Sequence, residues 1–292
     1  MLDTFEILEP ITVTEAAEML AHYGDQAAVY AGGTELLLIM KEGLVHYQHL
    51  VNIKKIPHLD NIHLTADEQM LSIGALATHR QLEMAPIVHE HIPVLSELAA
   101  QVGNLRVRTT GTIGGNLCFA EPHSDPSTLL LACDATIELS GINGTREVGV
   151  EDFFCGLFET NREEDEILTA ITVPILPLVS GSAYEKFSIH ERPTATIAVI
   201  LHLRDGVIET ARVGLGSVGP KPLRVTKAEN MLRGSPPSRV LFTEASMYAK
   251  EATDAVDDIY GSASYKAHLA QVLTKRALER AAVRAGGNDF DH

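Results

Sequence analysis

The sequence predicts an α+β protein built in three parts. Residues 1–55 alternate helical and extended segments, which is typical of a small α/β unit. Residues 56–176 carry two hairpin signals among short helices, which predicts a larger α+β unit. Residues 177–292 combine a long hairpin with a helical tail, which predicts an antiparallel sheet covered by helices. A length of 292 residues is typical of two or three such domains.

The first unit begins with a capping box. Thr12 and Glu15 stand three residues apart and predict a helix over 15–23. Residues 27–30 form a short apolar segment that predicts a buried strand running into Gly32-Gly33. An apolar helix from Thr34 to about Gly43 and a strand over 50–53 complete the unit.

The second unit begins with a hairpin and continues with helices. Residues 61–65 and 70–74 flank a polar turn. Thr78 and Gln81 predict a capped helix, and 92–101 predict another. The order Asp125-Pro126 predicts a helix start with Asp125 as N-cap, and this helix ends near Asp134.

The end of the second unit is extended and leads to a linker. Residues 136–139 and 146–150 should pair across Asn143-Gly144, and 167–173 form a strand. Residues 174–182 contain two prolines and a Ser-Gly-Ser, which is typical of a domain linker.

The third unit pairs 195–204 with 207–216 across Asp205-Gly206. Three helices follow over 223–232, 239–253 and 264–284, and Gly286-Gly287 ends the last one.

Charge and hydropathy exclude several classes of function. The chain has 23 Lys and Arg against 39 Asp and Glu, a formal charge of -16, which opposes binding to nucleic acid. The longest apolar runs fall far short of the ~20 residues that span a bilayer. No basic and apolar signal segment opens the sequence, so we expect a cytoplasmic location. The three cysteines Cys118, Cys133 and Cys155 are too few for an iron–sulfur cluster of its own.

Two double-glycine segments are the strongest candidates for a site. Ala31-Gly32-Gly33-Thr34-Glu35 and Thr112-Ile113-Gly114-Gly115-Asn116 each follow a segment that could be extended. Glycine suits positive φ and close approach to a ligand, and successive free N–H groups form an anion-binding nest. Two nests could hold a diphosphate, which indicates a dinucleotide or flavin, although purely structural turns remain the alternative. The first glycine segment does not have the dinucleotide fingerprint GxGxxG, and it lacks a Walker A lysine.

The segment Val29-Tyr30-Ala31-Gly32-Gly33-Thr34-Glu35-Leu36, followed by Thr112-Ile113-Gly114-Gly115-Asn116 and Ser124-Asp125, resembles the FAD-binding medium subunit of the molybdenum hydroxylases. The resemblance covers nearly the whole chain, including the hairpin after the linker and the tail around Ser262-Ala263-Ser264-Tyr265-Lys266. It implies that 1–55 and 56–176 together form a two-part FAD-binding domain, followed by a C-terminal domain.

The resemblance also implies cofactor contacts. Those to the FAD diphosphate are Val29, Tyr30, Ala31, Gly32, Gly33, Thr34, Glu35, Leu36, Thr112, Ile113, Gly114, Gly115 and Asn116. Asp125 would meet the ribose, with a simple N-cap as its alternative. Leu168 would pack on the flavin or belong only to a core strand. Lys186 would lie near the cofactor or be a solvated lysine.

Two departures from the family pattern stand out. Family members often carry arginine two or three residues after Lys186, whereas here the basic residue is displaced to His190 or Arg192. We therefore expect an altered loop over the flavin. Carbon monoxide dehydrogenase subunits tend to have His-Ser after the first glycine pair, and this chain has Thr34-Glu35. We therefore expect a substrate other than carbon monoxide.

The family implies an electron-transfer subunit with non-covalent FAD. A large subunit would carry the molybdenum cofactor, a small subunit would carry [2Fe-2S] clusters, and NAD+, oxygen or another acceptor would take the electrons. A stand-alone FAD-dependent oxidase or reductase of the same fold group is the alternative, although no general base stands out. A flavin-free assembly subunit is a third reading, and the intact glycine segments argue against it.

Overall fold

The computed structural model describes residues 4–177, 179–189 and 191–286. The first unit contains a parallel sheet in the order β1-β3-β2. Its elements are β1 (Glu6–Leu8), α1 (Val13–Tyr23), β2 (Ala27–Tyr30), α2 (Leu36–Lys41) and β3 (His49–Asn52). The Thr12 hydroxyl accepts from the Glu15 N–H at 3.1 Å, so the predicted cap is present and α1 starts two residues earlier than expected.

The second unit contains a five-stranded antiparallel sheet in the order β4-β5-β10-β6-β7. Its strands are β4 (Ile62–Leu64), β5 (Met70–Gly74), β6 (Thr136–Gly141), β7 (Gly144–Gly149), β8 (Phe154–Gly156), β9 (Glu159–Thr160) and β10 (Ile167–Pro174). Its helices are α3 (His79–Met84), α4 (Pro86–His91), α5 (Pro93–Ala99), α6 (Leu105–Thr110), α7 (Ile113–Phe119), α8 (Pro126–Ala132) and α9 (Val150–Phe153). Both predicted hairpins are present.

The third unit contains an antiparallel sheet in the order β11-β12-β13-β14. Its elements are β11 (Ser180–Phe187), β12 (Ala195–Arg204), β13 (Val207–Gly216), β14 (Leu223–Arg224), α10 (Thr226–Leu232), α11 (Arg239–Glu251) and α12 (Ala263–Arg284). The α+β fold class is therefore confirmed. The predicted boundaries at 55/56 and 176/177 stay a prediction.

Two local expectations in this region need correction. The linker predicted over 174–182 is shorter, because β10 includes Pro174 and β11 begins at Ser180. The helix predicted from Leu223 begins at Thr226, because Leu223 and Arg224 pair with β13. Gly286 follows α12 with a φ of 83°, and Gly287 lies outside the described residues.

β12 joins the second and third units. Side chains alternate across a strand, and here both faces are buried. Ile197 and Val199 pack in the core under α11 and α12, whereas Ala198 and Ile200 pack in the core of the second unit. Tyr184 on β11 also packs in that second core. The third sheet therefore packs against the second unit, whose helices carry the site.

Among the described residues, no helix is long and apolar enough to cross a membrane.

Candidate functional site

A cavity of about 660 Å³ lies where the three units meet. Its wall comes from β2 and the first glycine segment, from the chain between α5 and α8, from the start of β10, and from 191–193 and 259–260 of the third unit. This volume falls within the ~300–1,000 Å³ range of ligand pockets. Thirteen of the sixteen predicted site residues line it: Val29, Ala31, Gly32, Gly33, Thr34, Glu35, Leu36, Thr112, Gly114, Gly115, Asn116, Asp125 and Leu168.

The first glycine segment has the geometry of an anion-binding loop. Gly33 adopts a φ of 73°, which favours glycine. Within the described parts of the chain, the backbone N–H groups of Gly32, Gly33, Thr34 and Glu35 make no hydrogen bond. A Cβ on Gly32 would collide with the Thr110 carbonyl, so glycine also allows this loop to lie against the end of α6. Four successive free donors therefore stand in the cavity wall.

The second glycine pair is not the free turn that the sequence suggested. Gly114 and Gly115 lie in the first turn of α7, and neither has a positive φ. The N–H of Gly114 donates to the Ala75 carbonyl at 2.9 Å, and that of Gly115 donates to the Thr112 hydroxyl at 3.2 Å. The prediction of a second nest with unpaired N–H groups was therefore wrong.

Glycine is used in this helix for close approach. A Cβ on Gly114 would lie 2.7 Å from the Ala75 Cβ, so the helix could not sit on the end of β5. A Cβ on Gly115 would be 2.8 Å from the Thr112 hydroxyl and 4.0 Å from the Ala31 Cβ. Both glycine segments thus line one cavity. The first presents backbone N–H groups without described partners, and the second presents glycine backbone without side chains.

The Asp125 carboxylate faces the cavity and does not cap α8. Asp125 stands at the N-cap position and Pro126 at the first helical position, as predicted, but the Asp125 backbone is helical and its side chain makes no capping hydrogen bond. Its Oδ1 accepts from the Tyr184 hydroxyl at 2.6 Å and from Lys186 Nζ at 3.0 Å. Burial raises the pKa of Asp125, and the Lys186 ammonium opposes this. Oδ2 has no hydrogen bond to a described residue and remains available to a ligand.

Three predicted site residues do not line the cavity. Lys186 lies behind Asp125, where its ammonium also donates to the Gln101 carbonyl at 2.7 Å. Tyr30 turns its ring under Lys54, whose ammonium lies 3.7 Å from the ring centroid. Ile113 is fully buried in the core.

Leu168 keeps both of its possible roles. It is 3% exposed, packs in the core of the second unit, and lines the cavity at the start of β10. The strand register shifts just after it, between Leu168 and Ala170.

Arg192 lines the cavity and contacts the first glycine segment. Its guanidinium donates to both carboxylate oxygens of Glu35, at 2.9 and 3.1 Å, and lies 2.5 Å from Glu121 Oε2. Burial raises the pKa of Glu35, and Arg192 opposes this. The two departures from the family pattern, Glu35 and the displaced arginine, therefore contact each other. The other candidate for the displaced basic residue, His190, lies outside the described residues.

Sequence reasoning missed several wall residues. His123 stacks on Tyr260 with 4.1 Å between ring centroids, and its Nδ1 is 2.7 Å from the Pro193 carbonyl oxygen. His79 is a buried histidine in the same wall. No local motif marks these residues, because folding alone brings their partners near. Burial raises the pKa of the Cys118 thiol in the wall, so it stays protonated and weakly nucleophilic.

The described residues contain no cluster of three or more His, Cys, Asp or Glu side chains that could hold a metal ion.

Comparisons with known proteins cover both parts of the chain. Residues 3–176 match the family model for the FAD binding domain in molybdopterin dehydrogenase, and 183–281 match the CO dehydrogenase flavoprotein C-terminal domain. The carbon monoxide dehydrogenase medium chain of Afipia carboxidovorans is 33% identical over 97% of this chain and 98% of its own. The caffeine dehydrogenase subunit beta of a Pseudomonas species is 30% identical over 96% of this chain and 95% of its own.

A solved structure agrees with the fold. Carbon monoxide dehydrogenase from Hydrogenophaga pseudoflava, in a form lacking the Mo-pyranopterin moiety, superposes with a TM-score of 0.94 at 34% identity, over 97% of this chain and 99% of that one. The chain therefore belongs to the family of FAD-binding subunits of the molybdenum hydroxylases, and it is the flavoprotein subunit of an oxidoreductase.

Proposed function

We propose that this chain holds FAD in the cavity without a covalent bond and carries electrons between partner subunits and a soluble acceptor. Electrons would come from [2Fe-2S] clusters on a small subunit, after oxidation of an organic substrate at a molybdenum cofactor on a large subunit. NAD+ or another acceptor would receive them. The observation that carries the proposal is that four N–H donors without described partners and the Asp125 carboxylate line one cofactor-sized cavity.

The residues present fit FAD. A diphosphate is an anion, and the N–H groups from Gly32 to Glu35 are donors without partners in the described chain. A ribose carries hydroxyl donors, and Asp125 offers a buried carboxylate oxygen for them. Apolar side chains such as Leu168 suit a flavin ring. The predicted contacts of Tyr30 and Ile113 could be made only by their backbone, and Lys186 would act by holding Asp125.

When bound, the flavin supplies the ability to take up two electrons and to exchange them singly or in pairs. The protein binds and orients it. Arg192 fixes 191–193 against the glycine segment by its ion pairs to Glu35 and Glu121, which limits solvent entry on that side. The two-part binding domain at 1–55 and 56–176 and the C-terminal domain at 177–292 belong to the same proposal.

The comparisons do not choose the organic substrate. Relatives of nearly equal identity are named for carbon monoxide and for caffeine. The expectation of a substrate other than carbon monoxide, drawn from Thr34-Glu35, remains a prediction. The three free cysteines suit a reducing compartment, so a cytoplasmic location belongs to this proposal as well.

Purification of the chain with its neighbouring large and small subunits tests the proposal. We expect the complex to show flavin absorption together with iron–sulfur absorption, and the isolated chain to show flavin alone. NADH added without oxygen should bleach the flavin band if NAD+ is the acceptor. A chain that purifies alone and oxidises an organic compound by itself would support the stand-alone oxidase instead.

A further inference from the structure

His79 occupies a fixed place in the cavity wall. It is the first residue of α3, where Thr78 and Gln81 form a capping box. Its backbone N–H donates to the Gly111 carbonyl at 3.1 Å, just before α7. The side chain is 2% exposed and lines the cavity. Its position is therefore set by two helix starts and not by a flexible loop.

The imidazole has no partner within the described chain. Nδ1 is enclosed by protein atoms and makes no hydrogen bond. Nε2 also makes no hydrogen bond to a described residue, but it is not enclosed in this way. A buried polar group without a partner costs roughly 1–3 kcal/mol, so such groups are rare and require an explanation. Nε2 is the nitrogen left to meet a ligand.

The imidazole of His79 lies close to Thr34 of the first glycine segment. The nearest side-chain atoms to the Cβ position of Gly111 are the Thr34 hydroxyl at 3.4 Å and His79 Cδ2 at 3.5 Å. The Cδ2 edge of the imidazole is thus a close neighbour of the Thr34 hydroxyl. The Thr34 hydroxyl likewise makes no hydrogen bond to a described residue. Two side-chain donors without partners thus accompany the free N–H groups of the loop.

The imidazole is neutral, so it adds a donor without adding charge. Burial and the nearby Arg108 guanidinium lower the pKa of His79 to about 4. Arg108 itself is held by Glu83 at 3.0 Å, so it is not free to serve a ligand in place of the histidine.

We propose that His79 Nε2–H donates a hydrogen bond to the diphosphate of the bound dinucleotide, beside the Thr34 hydroxyl and the N–H groups of the first glycine segment. This inference rests on the proposed function for its ligand. The diphosphate is preferred over the flavin ring because the neighbours of His79 are the anion-binding donors.

The test compares three ligands that divide the cofactor. Apo-protein, stripped of flavin, is titrated with FAD, with ADP and with riboflavin, and dissociation constants are measured. His79→Leu removes the donor at similar volume, and His79→Gln restores an N–H near the position of Nε2. His49→Leu is the matched control, because His49 Nδ1 is also enclosed without a hydrogen bond, with only Glu6 Oε2 at 3.4 Å, and His49 does not line the cavity.

We expect His79→Leu to weaken FAD and ADP about tenfold or more, since hydrogen bonds to charged groups are among the stronger ones. Riboflavin affinity should stay unchanged, His79→Gln should recover most of the loss, and His49→Leu should match the wild type. Melting temperatures of the apo-proteins check that each variant folds. If His79→Leu unfolds, the comparison of His79→Gln with His79→Asn, whose N–H is one bond shorter, replaces it.

Equal ADP affinity in wild type and His79→Leu would overturn the inference, and so would an equal loss for riboflavin. A wild-type chain that binds ADP but not FAD would overturn the proposed function. The ratio of the ADP dissociation constants of His79→Leu and wild type would still test the role of His79. A wild-type chain that binds neither would overturn both.

Discussion

The Asp125 carboxylate links two units at the residue scale. It belongs to the second unit, and its partners Tyr184 and Lys186 stand 59 and 61 residues further along the chain, on β11. Burial raises the pKa of this carboxyl, and the ammonium and hydroxyl that donate to one of its oxygens oppose that shift, which leaves the other oxygen without a described partner. We therefore expect Lys186 to act on a ligand through Asp125.

Asp125→Asn should weaken FAD binding about tenfold, because the amide loses the charge that strengthens a hydrogen bond from the ribose.

Lys186→Met should make FAD affinity depend on pH. Lys186 lowers the pKa of Asp125, so its loss raises that pKa further, and affinity should fall as the solution is acidified. Titration of apo-protein at several pH values measures both. Asp205→Asn in the exposed hairpin is the control, and an unchanged affinity in Asp125→Asn would refute the ribose role.

Arg192→Gln should speed the release of FAD by roughly three- to tenfold. The Arg192 side chain is 31% exposed and that of its partner Glu35 is 33% exposed, so solvent screening keeps the effect modest. Stopped-flow fluorescence of released FAD measures the rate. Arg204→Gln is the control, because Arg204 also forms an ion pair, with Glu209, but it lies at the opposite end of β12 from Arg192. Identical release rates in the two variants would show that Arg192 does not hold the wall.

Close backbone contacts decide the packing at the element scale. A Cβ on Gly181 of β11 would overlap the Ala281 carbonyl of α12, and one on Gly214 of β13 would lie 2.5 Å from the Thr128 carbonyl of α8. Helices can thus press on both faces of the third sheet. The packing of the third sheet against α8 places Tyr184 and Lys186, both on β11, next to Asp125.

Gly181→Ala should reduce the free energy of unfolding by about 1–3 kcal/mol, because the added methyl forces β11 and α12 apart. Urea denaturation measures the change. Gly149→Ala is the matched control, since no atom lies within 4 Å of its Cβ position and its φ is negative. A Gly181→Ala protein as stable as the control would contradict this account of the packing.

The cavity couples all three units at the scale of the whole molecule. Its wall includes the glycine segment of the first unit, α7 and Asp125 of the second, and Arg192 and Tyr260 of the third. A ligand that bridges them binds only the assembled chain. Ligand binding and global stability are therefore linked.

Removal of FAD should lower the stability of the whole chain. At a free FAD concentration 100 times its Kd, the bound cofactor contributes about 2.7 kcal/mol. Urea unfolding with and without FAD measures this difference, and hydrogen exchange should show faster exchange at 31–36 in the apo-protein. Riboflavin, which lacks the diphosphate, is the control ligand and should protect 31–36 less. Exchange changes confined to α11 and α12 would argue that the cavity is not the binding site.

The sequence by itself determined the type of most elements, the capped helix starts, the first glycine loop and the family. These features depend on interactions over a few residues: the Thr12 cap, the Asn143-Gly144 turn and the positive φ of Gly33 are local. It predicted the cavity wall well where the wall is continuous in sequence, as in Ala31 to Leu36.

Only the tertiary structure decided what each side chain contacts. Arg192 contacts Glu35 across 157 residues. Tyr184 donates a hydrogen bond to Asp125, which lines the cavity instead of capping α8. The N–H groups of Gly114 and Gly115 are satisfied by the Ala75 carbonyl, just after β5, and by the Thr112 hydroxyl, which a motif cannot show. A local pattern records short-range preferences, whereas a site made by three units depends on how far-apart segments pack.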